Sequence, residues 1–149
     1  MFGAKVLRVS DNVFYFKRGE IYTIEDKRFL VLGGAMSDDK AWRKPHESWW
    51  KQEEWSEGEK NACVEKIKEY GSNFDYILSH TGPSAGIALT EENLKHLHRD
   101  SNVVFNDKID SLISYKKWFF GHWHSNWGYE HYKESKYVPL YHQGIVIKT

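Results

Sequence analysis

The sequence predicts an α/β protein in which antiparallel strands come first and strands alternating with helices follow. Three observations carry this expectation. Residues 5–34 hold closely spaced runs of β-branched and aromatic residues, "KVLRV", "NVFYF", "EIYTI" and "RFLVLGG", interrupted by polar turns such as "EDK". A capped, amphipathic helical segment follows from Ser56 to Gly71. Beyond it, "FDYILSH" and "WFFGHWH" are apolar runs that each end in histidine and are separated by helical patterns.

Taken in order, the four N-terminal runs read as consecutive strands of antiparallel type. From Gly33 to Glu54 the chain is polar and aromatic without a period, which predicts a long excursion above a sheet edge. Ser56 and Glu59 fit a capping box; Cys63, Val64, Ile67 and Tyr70 share one helical face, and Gly71 supplies the stop. "FDYILSH" predicts a strand, and "TGPSAG" after it predicts irregular structure. A short helix is expected from Thr90 to about Leu97. Another, capped by Asn106 or Asp107, carries Ile109, Leu112 and Ile113 to about Lys116. "WFFGHWH", "YVPLY" and "GIVIK" supply the closing strands.

Composition narrows the functional classes. A chain of 149 residues fits one domain over residues 1–149 with a core of its own. Its 21 basic and 21 acidic residues cancel, so no global field draws it to nucleic acid or to an anionic membrane. A single cysteine, Cys63, excludes an intrachain disulfide framework and fits a reducing, cytoplasmic setting; on a helix face it reads as packing rather than as a nucleophile. No apolar run approaches a membrane span, and the first residues lack the apolar core of a signal peptide. The phosphate-binding G-x-x-x-x-G-K-[ST] pattern is absent. Aromatic residues reach 16%, with seven tryptophans, at a mean hydropathy of −0.69. Trp42, Trp49, Trp50 and Trp55 crowd one loop, where they either anchor a protein partner or pack beneath the loop.

The chemistry gathers at two strand tips. His80 closes "YILSH", and His122 and His124 follow "WFFG". In α/β sheets the carboxyl ends of strands are where loops converge on ligands. Neutral imidazoles are common transition-metal ligands, and three of them suit zinc first, with manganese or iron as alternatives. On extended backbone an H-x-H pair points both rings to one face, so both could serve one cluster. His46, His96, His98, His131 and His142 lack this context, although His46 in the long loop could reach a site.

"YILSHTGP" and "FFGHWH" resemble the last two motifs of the calcineurin-like metallophosphoesterases, whose blocks run D-x-H, G-D, G-N-H-[DE], H and G-H-x-H. "KRGEIYTIEDKRFLVLGGAMSDDKAWR" and "SWWKQEEWSEGE" are similar to bacterial and phage members, so the resemblance covers nearly the whole chain. It implies a fold like the C-terminal half of that family's β-sandwich flanked by helices, with His80 and His122 on one metal and His124 on its neighbour. The D-x-H and G-N-H-[DE] blocks are missing from this sequence, and with them the bridging carboxylate that two-metal hydrolysis requires. The resemblance therefore implies a truncated, metal-binding and non-catalytic module that binds another protein. A phage or mobile-element inhibitor of a host RNA-guided nuclease, of anti-CRISPR type, is the expected role. The alternative is an active phosphoesterase that completes its site as a homodimer or with a separate N-terminal half.

Overall fold

The N-terminal third forms two hairpins. In the computed structural model, which describes residues 2–36, 40–90 and 100–147, β1 (Leu7–Ser10) and β2 (Val13–Tyr15) pair antiparallel as a separate two-stranded sheet. β3 (Glu20–Ile24) and β4 (Lys27–Val31) pair antiparallel around Glu25 and Asp26. Both turn residues have positive φ, 47° and 60°, which matches the twist of a two-residue hairpin.

A five-stranded sheet then grows in chain order, β3-β4-β5-β6-β7, with β5 (Tyr76–Ser79), β6 (Lys117–Phe120) and β7 (Tyr137–Pro139) parallel to β4. Helix α1 (Glu57–Tyr70) makes the first crossover. α2 (Ser84–Ile87) and α3 (Ser101–Leu112) lie between β5 and β6, and α4 (Trp127–Glu130) between β6 and β7. The α/β class expected from the sequence is the class observed.

Alternation along the strands sorts two cores onto opposite faces. Leu30, Ile77, Trp118 and Phe120 meet Cys63 and Ile67 of α1, Ile87 of α2, and Val103, Phe105 and Ile109 of α3. Tyr22, Phe29, Tyr76, Phe119 and Val138 form the other face. It is covered by Phe2, Ala4, Phe16, Tyr132, Ile145 and Ile147, which lie outside the strands and helices. The Cys63 thiol is buried among apolar neighbours, and this burial pushes its pKa up to about 12.

The N-terminal ends of the strands are closed by two carboxylates. Asp75 takes an ion pair from Lys116 at 2.6 Å and the Arg28 backbone N–H at 2.9 Å. Asp110 of α3 accepts from the Tyr115 and Tyr137 hydroxyls and, at 3.1 Å, from Lys136. Burial acts to raise the Asp110 carboxyl, but those donors outweigh it and hold it below the ordinary carboxylate range. Tyr137 is pushed up to about 12 by burial and by Asp110.

Several sequence expectations need correction. α3 begins at Ser101, with the Asp100 carboxylate accepting from the N–H groups of Asn102 and Val103; Asn106 and Asp107 lie inside the helix. "TGPSAG" contains the short helix α2, whose first residue, Ser84, donates its N–H and hydroxyl to Asp107, both at 2.7 Å. "YVPLY" is a strand only through Pro139, and residues 144–147 of "GIVIK" form no strand; Ile145 and Ile147 pack on the second core without a ladder. The helix expected from Thr90 to about Leu97, with His96 and His98, lies beyond Thr90 outside the described residues.

The tryptophan loop divides. Trp55 is 5% exposed and belongs to the core: its ring meets Phe105 at 4.9 Å, Arg18 lies over it, and its indole N–H donates to Gly33 O at 2.8 Å. It is thereby removed from any contact surface. Gly34 has φ of +84°, and a Cβ there would sit 2.8 Å from the Trp55 ring, so only glycine lets the chain pass under it. Trp49 is half-buried, Trp50 is exposed, and Trp42 stands 91% exposed.

Candidate metal centre

The parallel register of β5 and β6 creates the site. Their last paired residues are Ser79 and Phe120, and Gly121 then donates its N–H to His80 O at 2.9 Å. His80 and His122 thus leave neighbouring strand tips one and two residues beyond the ladder. Their rings approach edge-to-face, with His122 Nδ1 3.2 Å from His80 Nε2.

The backbone beyond Gly121 is not extended. His122 and His124 both have positive φ, 66° and 51°, which is costly for residues with a Cβ and persists where surroundings enforce it. The enforcing contact comes from the residue between them. The Trp123 indole donates to Thr81 Oγ1 at 3.1 Å, and Thr81 is fully buried in the loop that follows His80. The expectation that both rings share one face therefore fails, because the alternation of a strand is absent here. His122 turns to His80, whereas His124 stacks on Tyr141 with centroids 4.3 Å apart. Tyr141 is held in place by its N–H, which donates to Asn126 Oδ1 at 3.1 Å.

The His80 loop is fastened from below. Asn106 donates to Thr81 O at 2.8 Å, Asp107 holds Ser84, and a Cβ at Gly82 would lie 2.8 Å from the Phe120 ring. Asn106, Asp107, Thr81 and Trp123 support the loop through contacts that sequence reasoning missed, having read the first two only as a helix cap. The signal available for the first two was polar residues on an otherwise apolar helix face.

His80, His122 and His124 line one cleft of about 1250 Å³, together with Lys17, Arg18, Arg43 and Glu53. Partial withdrawal of the His80 ring from water, reinforced by His122 and weakly by His124, lowers its pKa below the ordinary imidazole value; Glu53 acts in the opposite direction. A neutral imidazole is the form that ligates a metal. Two nitrogens on one tetrahedral zinc, each about 2.0–2.1 Å from it, lie roughly 3.3 Å apart. The 3.2 Å separation of the His80 and His122 nitrogens fits that donor set. Among the described residues, no group of three or more His, Cys, Asp or Glu side chains is gathered as metal ligands. His80 and His122 thus stand as a pair without a third such side chain gathered beside them among the described residues, and His124 lies in the same cleft but is engaged by Tyr141. Of the described helices, none is long and apolar enough to cross a membrane.

Comparison with known proteins supplies no relative: no protein-family model, no curated protein and no solved structure matches the chain.

Proposed function

We propose that the chain is a divalent-metal-binding module of metallophosphoesterase type that works through a partner rather than as a hydrolase on its own. The observation that supports this most is the 3.2 Å pair of imidazole nitrogens at two adjacent parallel strand tips. His80 and His122 would hold one cation, zinc in the first instance, and His124 would face a neighbouring position after leaving Tyr141. Further donors would come from water or from another polypeptide, since the described residues bring no carboxylate into the pair. A cation bound there supplies Lewis-acid polarisation of a phosphoryl oxygen. Trp123 and Thr81 keep the two rings facing, and Tyr141 holds the third ring in reserve. A reducing, cytoplasmic setting suits the single buried thiol.

The size of the cleft, with Lys17, Arg18 and Arg43 on its walls, favours a second reading in which a carboxylate-bearing partner completes an active phosphoesterase. Calorimetric titration of metal-free protein with zinc, cobalt and manganese tests the first reading. One equivalent is expected, weakened about a hundredfold in His80→Ala and His122→Ala, and cobalt should give the visible absorption of a nitrogen-ligated site. Absence of saturable binding by all three metals would remove the proposal. Metal-dependent hydrolysis of an aryl phosphate that His122→Ala abolishes would favour the second reading.

A further inference from the structure

A second cavity, of about 570 Å³, contains no histidine and lies between the N-terminal segment, β3 and the last turns of α1. Its charge is one-sided. Lys5, Lys17, Arg28 and Lys66 line it against a single carboxylate, Glu20, which is ion-paired with Lys66. The Arg28 guanidinium donates at 2.8 Å to the carbonyls of Tyr70 and Asn73 and lies over the Phe74 ring, with no carboxylate ion pair among the described residues. Lys5 and Lys17 have no ion pair among the described residues. Three unbalanced cations therefore share one hollow in a chain whose formal net charge is zero. Like charges so gathered repel, and an anion relieves them.

The lysines are brought there by a buried side chain. Tyr22 is fully buried, and its hydroxyl accepts from the Lys17 N–H at 2.8 Å and reaches Lys5 O at 3.4 Å. One phenol thus pins the two lysine-bearing segments side by side. The remaining wall is Gly3, Ala4, Ile21, the hydroxyl-bearing Thr23, and Tyr70, which is 62% exposed and has no ring partner among the described residues. The volume lies within the range of small-molecule sites.

We propose that this cavity binds a small phosphorylated molecule with a planar ring. The phosphate is taken by the Lys5 and Lys17 ammonium groups, acting as point charges, beside the Arg28 guanidinium, and the ring stacks on Tyr70. The inference is independent of the metal centre. Calorimetry at low salt with adenosine monophosphate, adenosine and inorganic phosphate tests it. Saturable binding of the monophosphate is expected, with adenosine and inorganic phosphate each weaker by about tenfold or more. Lys5→Ala should weaken the monophosphate about fivefold or more, and Tyr70→Ala should weaken it while leaving inorganic phosphate unchanged. His122→Ala should have no effect. Lys17 also lines the histidine cleft, so Lys5→Ala is the deciding variant. No saturable binding, binding indifferent to Lys5→Ala, or binding lost in His122→Ala would each overturn the proposal.

Discussion

The two ends of the five-stranded sheet are built on opposite rules. At the N-terminal ends of β5, β6 and β7, Asp75 and Asp110 gather lysine, arginine and tyrosine donors and close the gaps between strands. At the C-terminal ends of β5 and β6, His80 and His122, the latter on strained backbone, meet at 3.2 Å on the wall of an open cleft. Carboxylates at the first end gather their donors away from the cleft, whereas at the second two imidazoles pair on the cleft wall. The difference teaches that strand direction sorts carboxylates to one end of the sheet and imidazoles to the other.

Removing Asp110 should break the first end most severely. Asp110→Ala leaves the Tyr115 and Tyr137 hydroxyls and Lys136 without their acceptor, and a loss of about 3 kcal/mol in unfolding free energy is expected in urea melts. Metal affinity should be nearly unchanged. The converse is expected at the other end: His122→Ala should weaken zinc binding by about a hundredfold, roughly 2.7 kcal/mol, while stability of the metal-free protein moves by less than about 1 kcal/mol. If both variants lost both properties, the two ends would be coupled and the contrast would fail.

Acid sharpens the same contrast. The Asp110 and Asp75 carboxyls lie below their ordinary values, Asp75 through Lys116 and Arg28. Their contribution is complete above the ordinary carboxylate range and is lost as pH falls through the lowered values. His80 titrates below its ordinary value of about 6.5, so the unfolded chain binds that proton first and stability drops as pH falls through that region. Urea melts across pH should show two separate losses in metal-free protein. The upper one should vanish in His80→Ala and the lower one should flatten in Asp110→Asn. The smallest effect is expected at Trp42: with 91% of it exposed, Trp42→Ala should alter stability by less than about 0.5 kcal/mol.

Local chemistry made part of this molecule readable in advance. Ser56 and Glu59 cap α1 as their spacing predicts, and the strand runs at residues 20–24 and 28–31 pair as expected. The two histidine tips were legible because apolar runs ended there, and the meeting of His80 with His122 follows from parallel register. α3 was misread because Asn102 and Asn106 sit on its buried face, where they break the apolar period. Each serves a distant backbone: Asn102 accepts from the Trp55 N–H, and Asn106 donates to Thr81 O. Such partners lie 47 and 25 residues away, beyond what a local pattern encodes. The turn at His122 was hidden for the same reason, since it depends on the Trp123 contact with Thr81.

The strand order β3-β4-β5-β6-β7 also sets a timetable. Every strand docks on the one synthesised before it, so the sheet can lengthen during synthesis without threading a loop or waiting for a distant partner. Each addition closes only the loop of its own crossover, a modest entropic step. His80 emerges early, yet it acquires its neighbour only when β6 arrives. A nascent chain halted before residue 117 would carry three of the five strands and half of the pair, so the meeting of the two imidazoles marks the arrival of β6.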